Sequence, residues 1–236
     1  MGDFMRALSI ALSTSALIAA TMHGAGAADI ARPVYKAPEP VAAIYNWTGF
    51  YVGGNIGWGW SSGDGDILIN GVPGTVSGSG DGFLGGVQAG YNWQYGLWVF
   101  GIETDFQGSA GKGDVTGFAG GNVLTGTSKG PWFGTIRGRV GYAFDRSLWY
   151  VTGGALYGHN KFDGVITGFG PFSASKTSWT YTVGGGVEWA VADRWTAKIE
   201  YLYAGPPTDA PAIPNARITG GSADAHILRT GLNFRF

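Results

Sequence analysis

Cysteine is absent from this 236-residue chain, so neither a disulfide framework nor a thiolate metal site can be built. Charge is scarce as well: Asp, Glu, Lys and Arg together reach 13%, about half the usual share. The formal net charge is -1, which removes any electrostatic case for nucleic acid or for an anionic membrane surface. Beyond the N-terminal segment no apolar run approaches the roughly 20 residues of a membrane-spanning helix. A mature chain that crosses a bilayer must therefore do so as strands.

Glycine and aromatic rings are abundant instead, with 44 Gly and 14% Phe, Trp and Tyr. Interior glycines disfavour helices by about 1 kcal/mol each relative to Ala. Without a Gly-X-Y period they do not indicate collagen. Abundant rings with few charges argue against disorder. At the N-terminus, Arg6 precedes an apolar run from Ala7 to Met22, and Ala25-Gly26-Ala27 supplies a small-residue cleavage pattern. Residues 1–27 read as a secretory signal peptide. Residues 28–46, with Pro33, Pro38 and Pro40 and no periodicity, read as a periplasmic tail, leaving 47–236 as the folded domain.

That domain alternates with the period of a strand. In the last segment His226, Leu228, Thr230, Leu232, Phe234 and Phe236 share one face, and Arg229, Gly231, Asn233 and Arg235 the other. Seven further segments follow, and six of them alternate in the same manner. Residues 47–60 set Phe50, Val52, Ile56, Trp58 and Trp60 against Tyr51 and Asn55; residues 83–94 set Phe83, Val87, Tyr91 and Trp93 against Gln88, Asn92 and Gln94. Trp98, Phe100, Ile102 and Phe106 oppose Glu103, Asp105 and Gln107, and Trp132, Ile136, Val140 and Tyr142 oppose Thr135, Arg137 and Arg139. Trp179, Tyr181, Val183, Val187 and Trp189 oppose Thr182 and Glu188, while Trp195, Ile199, Tyr201 and Tyr203 oppose Thr196, Lys198 and Glu200. Only 148–159 is ambiguous, because both of its faces are apolar or small.

Links at 95–97, 145–147 and 191–194 are short; the other four are long and rich in Gly, Ser or Pro. The fold expected is all-β: an eight-stranded antiparallel up-and-down transmembrane β-barrel with short periplasmic turns and long extracellular loops. The long links begin with strand-like material such as Ile67-Leu-Ile-Asn-Gly71 and read as hairpin extensions above the membrane. Trp93, Trp98, Trp189 and Trp195 flank short turns, whereas Trp58, Trp60, Trp132 and Trp179 lie toward the long loops. Together they form two interfacial belts.

The inward face then carries Glu103, Asp105, Glu188 and Glu200 with Arg137, Arg139, Lys198, Arg229 and Arg235. Eight strands enclose a space that side chains nearly fill, so these charges are expected to pair as a lumen network. The opposite register would aim Arg137 and Arg139 at lipid, at about 2–4 kcal/mol each.

No catalytic constellation stands out: His159 and His226 lack a nucleophile motif. Asp64-Gly-Asp66 lacks the twelve-residue calcium pattern, and Gly78, Gly80 and Gly82 precede a strand rather than a phosphate-binding helix. No cofactor or metal is expected.

The chain resembles the small outer-membrane β-barrel family of brucellae, rhizobia and their relatives, known as porin-family or opacity-like proteins. The residues that carry the resemblance include Tyr45-Asn-Trp-Thr-Gly-Phe-Tyr-Val-Gly-Gly54, Gly85-Gly-Val-Gln-Ala-Gly-Tyr-Asn-Trp93 and Thr135-Ile-Arg-Gly-Arg-Val-Gly-Tyr142. Trp195-Thr-Ala-Lys-Ile-Glu-Tyr201 and Arg229-Thr-Gly-Leu-Asn-Phe-Arg-Phe236 complete it. The resemblance implies a cell outer-membrane protein that supports envelope integrity and presents loops to a host or to its surroundings, without catalysis. It also implies that Leu232, Phe234 and Phe236 form the signal for the β-barrel assembly machinery. Outer-membrane lipids and lipopolysaccharide, and an extracellular or host partner at the loops, are the remaining partners expected; nucleic acid is not. The alternatives are a small porin-like channel and an outer-membrane lipid or peptide hydrolase. The link Gly205-Pro-Pro-Thr-Asp-Ala-Pro-Ala-Ile-Pro214 departs most from the family pattern.

Overall fold

The structure is a computed structural model and describes residues 45–208 and 212–236. The signal segment and nearly all of the proline-containing tail lie outside the described residues. Among the described residues there are nine antiparallel strands: β1 (Gly49–Ile69), β2 (Val72–Tyr95), β3 (Trp98–Ser109), β4 (Lys112–Ala119), β5 (Asn122–Phe144), β6 (Ser147–Ile166), β7 (Gly170–Ala190), β8 (Trp195–Ala204) and β9 (Ala216–Arg235). β3 and β4 continue one another, since each bridges β2 and β5. Nine strands therefore make eight staves. Pairing of β1 with β9, from Tyr51↔Arg235 upward, closes the sheet, and closure removes the free edges that would otherwise be unsatisfied in lipid.

Strand boundaries follow local chemistry. Asn70 and Gly71 both have positive φ (51° and 81°), as do Gly120 and Gly121 (52° and 88°), the requirement of two-residue hairpin turns. Each pair reverses the chain far from the short turns, so the long connections are mostly strand. β5 slips register between Lys129 and Trp132, where Pro131 offers no N–H to a ladder. Below the slip odd-numbered β5 residues face inward; above it even-numbered ones do.

Three layers fill the barrel along its axis. At the short-turn end Trp47, Val99, Ala143, Leu148, Tyr150 and Ala190 form an apolar floor. At the long-hairpin end Ile67, Ile69, Ala119, Leu124, Phe162, Ile166 and Ile213 form a second apolar cluster inside a crown. Between them lies a polar layer, roofed by Leu84, Leu202 and Ile227. The ambiguous segment 148–159 is resolved here. Leu148 and Tyr150 point inward, and Trp149 and Val151 point outward, 60% and 66% exposed.

Candidate functional site: the ionic lumen

Glu103 on β3 sits at the centre of the polar layer. Its carboxylate meets the Arg137 guanidinium, Lys198 Nζ at 2.8 Å, Arg229 Nη2 at 3.5 Å and Arg139 Nη1 at 3.7 Å. Arg137 also reaches Asp105 and Glu200, each at 3.1 Å. Arg229 pairs with Glu200 at 2.6 Å and Asp105 at 2.9 Å, and Arg139 pairs with Glu188 at 3.0 Å. All eight residues are buried. Four carboxylates balance four cations, so the layer is neutral as a unit. Ions removed from water cost several kcal/mol each unless attraction and hydrogen bonds compensate. Here almost every charge has more than one partner.

Neutral side chains complete the shell. Tyr51 donates its phenol proton to Glu103 Oε2 at 2.8 Å, and Tyr150 donates to Glu200 Oε1 at 2.9 Å. Both rings fit because glycine faces them. A Cβ at Gly90 would lie 2.2 Å from the Tyr51 Oη, and one at Gly186 would lie 2.8 Å from that of Tyr150. An amide chain runs Asn55 to Gln88 at 2.9 Å, Gln88 to Asn233 at 2.6 Å and Asn233 to Glu188 at 2.9 Å. Arg139 Nε donates to Asn92 Oδ1 at 2.9 Å, and Thr135 donates to Asp105 at 2.7 Å. Asn55, Gln88, Asn92 and Tyr51 are visible in the sequence as the inward side of their strands. Tyr150 is not, because its segment gives no polarity contrast.

Arg235 corrects the expected membership of the network. It faces inward, but its guanidinium donates to the Asn46 and Thr48 carbonyls at 2.8 and 3.1 Å. It also lies over the Tyr45 and Trp47 rings at 5.0 and 5.5 Å. Six residues separate it from Arg229, roughly 20 Å of strand, which is out of reach of the central carboxylates. Arg235 instead fastens the incoming chain across the short-turn mouth, and Trp47 is fully buried there. Trp47 opens the 47–60 segment with inward parity, yet the sequence gives it no role because the polarity contrast begins only at Phe50 and Tyr51.

Every tryptophan assigned to a belt has its ring on the outer wall. Trp93, Trp98, Trp189 and Trp195 ring the short-turn end, joined by the unanticipated Trp149; Trp58, Trp60, Trp132 and Trp179 ring the long-hairpin side. Leu228, Leu232 and Phe236 are exposed on the outer face of β9, and Phe234 is partly covered by Trp195. His226 also lies outside: it stacks on Trp60 and sits 2.6 Å from the Tyr201 hydroxyl and 3.1 Å from Asp224. His159 stacks on Trp132 and is 3.1 Å from Thr177 Oγ1. Neither ring faces the lumen. Among the described residues no group of three His, Asp or Glu side chains is placed to hold a metal, and Asp64 and Asp66 are exposed on the outside of β1.

A closed antiparallel wall with lipid-compatible rings outside and a buried ionic layer inside defines a transmembrane β-barrel of the outer-membrane type. The chain belongs to the outer membrane protein beta-barrel domain family, whose model matches residues 15–236. It is 34% identical to the 31 kDa outer-membrane immunogenic protein of Brucella melitensis over 97% of this chain and 99% of that one. It is also 34% identical to a 22 kDa outer membrane protein of Rhizobium leguminosarum over 70% of this chain and 66% of that protein. A 25 kDa outer-membrane immunogenic protein of Brucella canis is 26% identical over 98% of this chain and the whole of that one. Among solved structures, the outer membrane protein OprG of Pseudomonas aeruginosa aligns with a TM-score of 0.48 and 12% identity, over 81% of this chain and 97% of that chain. The protein resides in the cell outer membrane.

Proposed function

We propose that the barrel is a sealed structural and surface-interaction element of the envelope, with no reaction of its own. The observation that carries this reading is the neutral, buried cluster of Glu103, Asp105, Glu188, Glu200, Arg137, Arg139, Lys198 and Arg229 spanning the lumen. A solute passing through would have to break several charge-assisted bonds at once, and the apolar floor around Trp47 closes the mouth below them. An open pore keeps its wall charges hydrated, whereas these are bonded to one another. Among the described residues the histidines are His159 and His226, and both lie on the outer wall rather than in the lumen, which supports a barrel without hydrolytic chemistry.

Single-channel recording of the purified barrel in planar bilayers tests the proposal. Silence or irregular flicker is the expected result; reproducible nanosiemens steps would establish the porin-like alternative. The outward stripe of Leu232, Phe234 and Phe236 would serve as the recognition signal for the assembly machinery. Deleting Phe236 is expected to lower the amount recovered in the outer membrane, and undiminished recovery would refute that role.

A further inference from the structure

Three lysines stand side by side on the outer wall of the crown. Lys112 on β4 is the cross-strand partner of Lys129 on β5, and Lys129 is the partner of Lys161 on β6. All three are exposed on the same outward face. Directly opposed side chains have Cβ atoms about 5 Å apart, and like charges so placed repel. Among the described residues, no carboxylate lies within ion-pair distance of any of the three. Asp81 borders the row as the β2 partner of Lys112. Asp114 and Asp163 lie two positions farther out, and the Asp163 carboxylate accepts a hydrogen bond from Ser173 at 2.7 Å.

Position gives the row its meaning. Lys129 is separated from Trp132 by Gly130 and Pro131, and Lys161 from His159 by Asn160. Trp132 and His159 belong to an aromatic shelf in which Phe106, Trp132 and His159 stack at 5.8 Å spacings, with Tyr157 and Trp179 alongside. The β5 slip is what allows Lys129 and Trp132, three residues apart, to share the outer face; strict alternation would turn one of them inward. Below the shelf the wall is apolar, with Ile102, Ile136 and Val151 each more than half exposed. The vertical order is therefore grease, aromatic belt, then cations, which complements an amphiphile whose acyl chains lie on the wall and whose phosphates sit just above the belt.

We propose that Lys112, Lys129 and Lys161 form a binding site for the phosphate groups of a phosphorylated glycolipid of the outer leaflet. The inference rests on the outer-membrane placement of the barrel and not on the sealed lumen: conducting channels would refute the sealed-wall reading and leave this one standing.

The test uses the protein purified from outer membranes in zwitterionic detergent, titrated with bisphosphorylated lipid A, with its dephosphorylated form and with inorganic phosphate. The expected result is selective, salt-weakened retention of the bisphosphorylated lipid. Lys112→Gln/Lys129→Gln/Lys161→Gln is expected to weaken it roughly a hundredfold, from the contribution of each basic residue near an anionic surface. The corresponding triple arginine variant is expected to retain binding, and heat-modified gel migration checks that each variant is folded. The proposal is overturned if the glutamine variant binds within threefold of the parent, or if the dephosphorylated lipid is held equally well. Displacement of the lipid by inorganic phosphate at matching concentration would also overturn it, by assigning the row to the free ion.

Discussion

The membrane-level lumen and the interior of the crown share most of their strands, yet their fillings are opposite. At the level of Asn55, β1 shows Ile56 and Trp58 to the outside and an amide to the inside. Farther along, at Ile67 and Ile69, it buries the aliphatic chains inward and shows Asp64 and Asp66 outward. The pleat keeps its phase; the solvent changes. Where lipid surrounds the wall, apolar groups are stable outside and the polar ones must satisfy each other within. Where water surrounds it, the ordinary hydrophobic effect returns and drives the apolar face inward. One strand thus reports the membrane boundary by the inversion of its polarity.

Mutations separate the two regions. The largest effect is expected for Glu103→Ala, which leaves four buried cations without their shared partner and destabilises by about 3–5 kcal/mol. The temperature at which the folded gel band is lost in detergent should fall sharply, and an unchanged temperature would show that the network does not hold the barrel. Arg137→Ala should follow closely, because it deprives three carboxylates of a cation. In the crown, Leu124→Ala is expected to cost about 2–3 kcal/mol, the lower part of the range for buried leucine truncation. That loss should appear as protease sensitivity of the long hairpins while the membrane-embedded band survives heating as before; a lowered barrel melting temperature would erase the distinction between the regions. Tyr51→Phe sharpens the first comparison with the smallest change. Losing one hydrogen bond to a charged acceptor should cost about 1.5 kcal/mol, measurable in the same melting assay.

The crown also shows why parts of the architecture were less legible than the membrane-level staves. The extensions of β1 and β2 carry Gly59, Gly63, Gly65, Gly74, Gly78, Gly80 and Gly82, which blur alternation, so Ile67-Leu-Ile was the main strand signal there. The β5 slip was not legible at all: Gly130-Pro131 suggests an interruption, but only pairing with β6 sets its register. Arg235 looked equivalent to Arg229 because both occupy inward positions on one strand. Sequence parity assigns a face and is silent about height along the axis, and height separates an ion-pair partner from a clamp on the entering chain.

The order of residues alone determined seven of the eight lipid-facing stripes, the belts of rings, the asymmetry of short and long connections and the inward direction of the charges. Each follows from a period of two read against the cost of placing arginine in hydrocarbon. Tertiary structure alone decided which charges meet, how Gly90 and Gly186 admit two tyrosines, and how three lysines from distant segments come to lie abreast. Those outcomes depend on strand register and barrel closure, which join residues tens of positions apart and leave no local periodic trace.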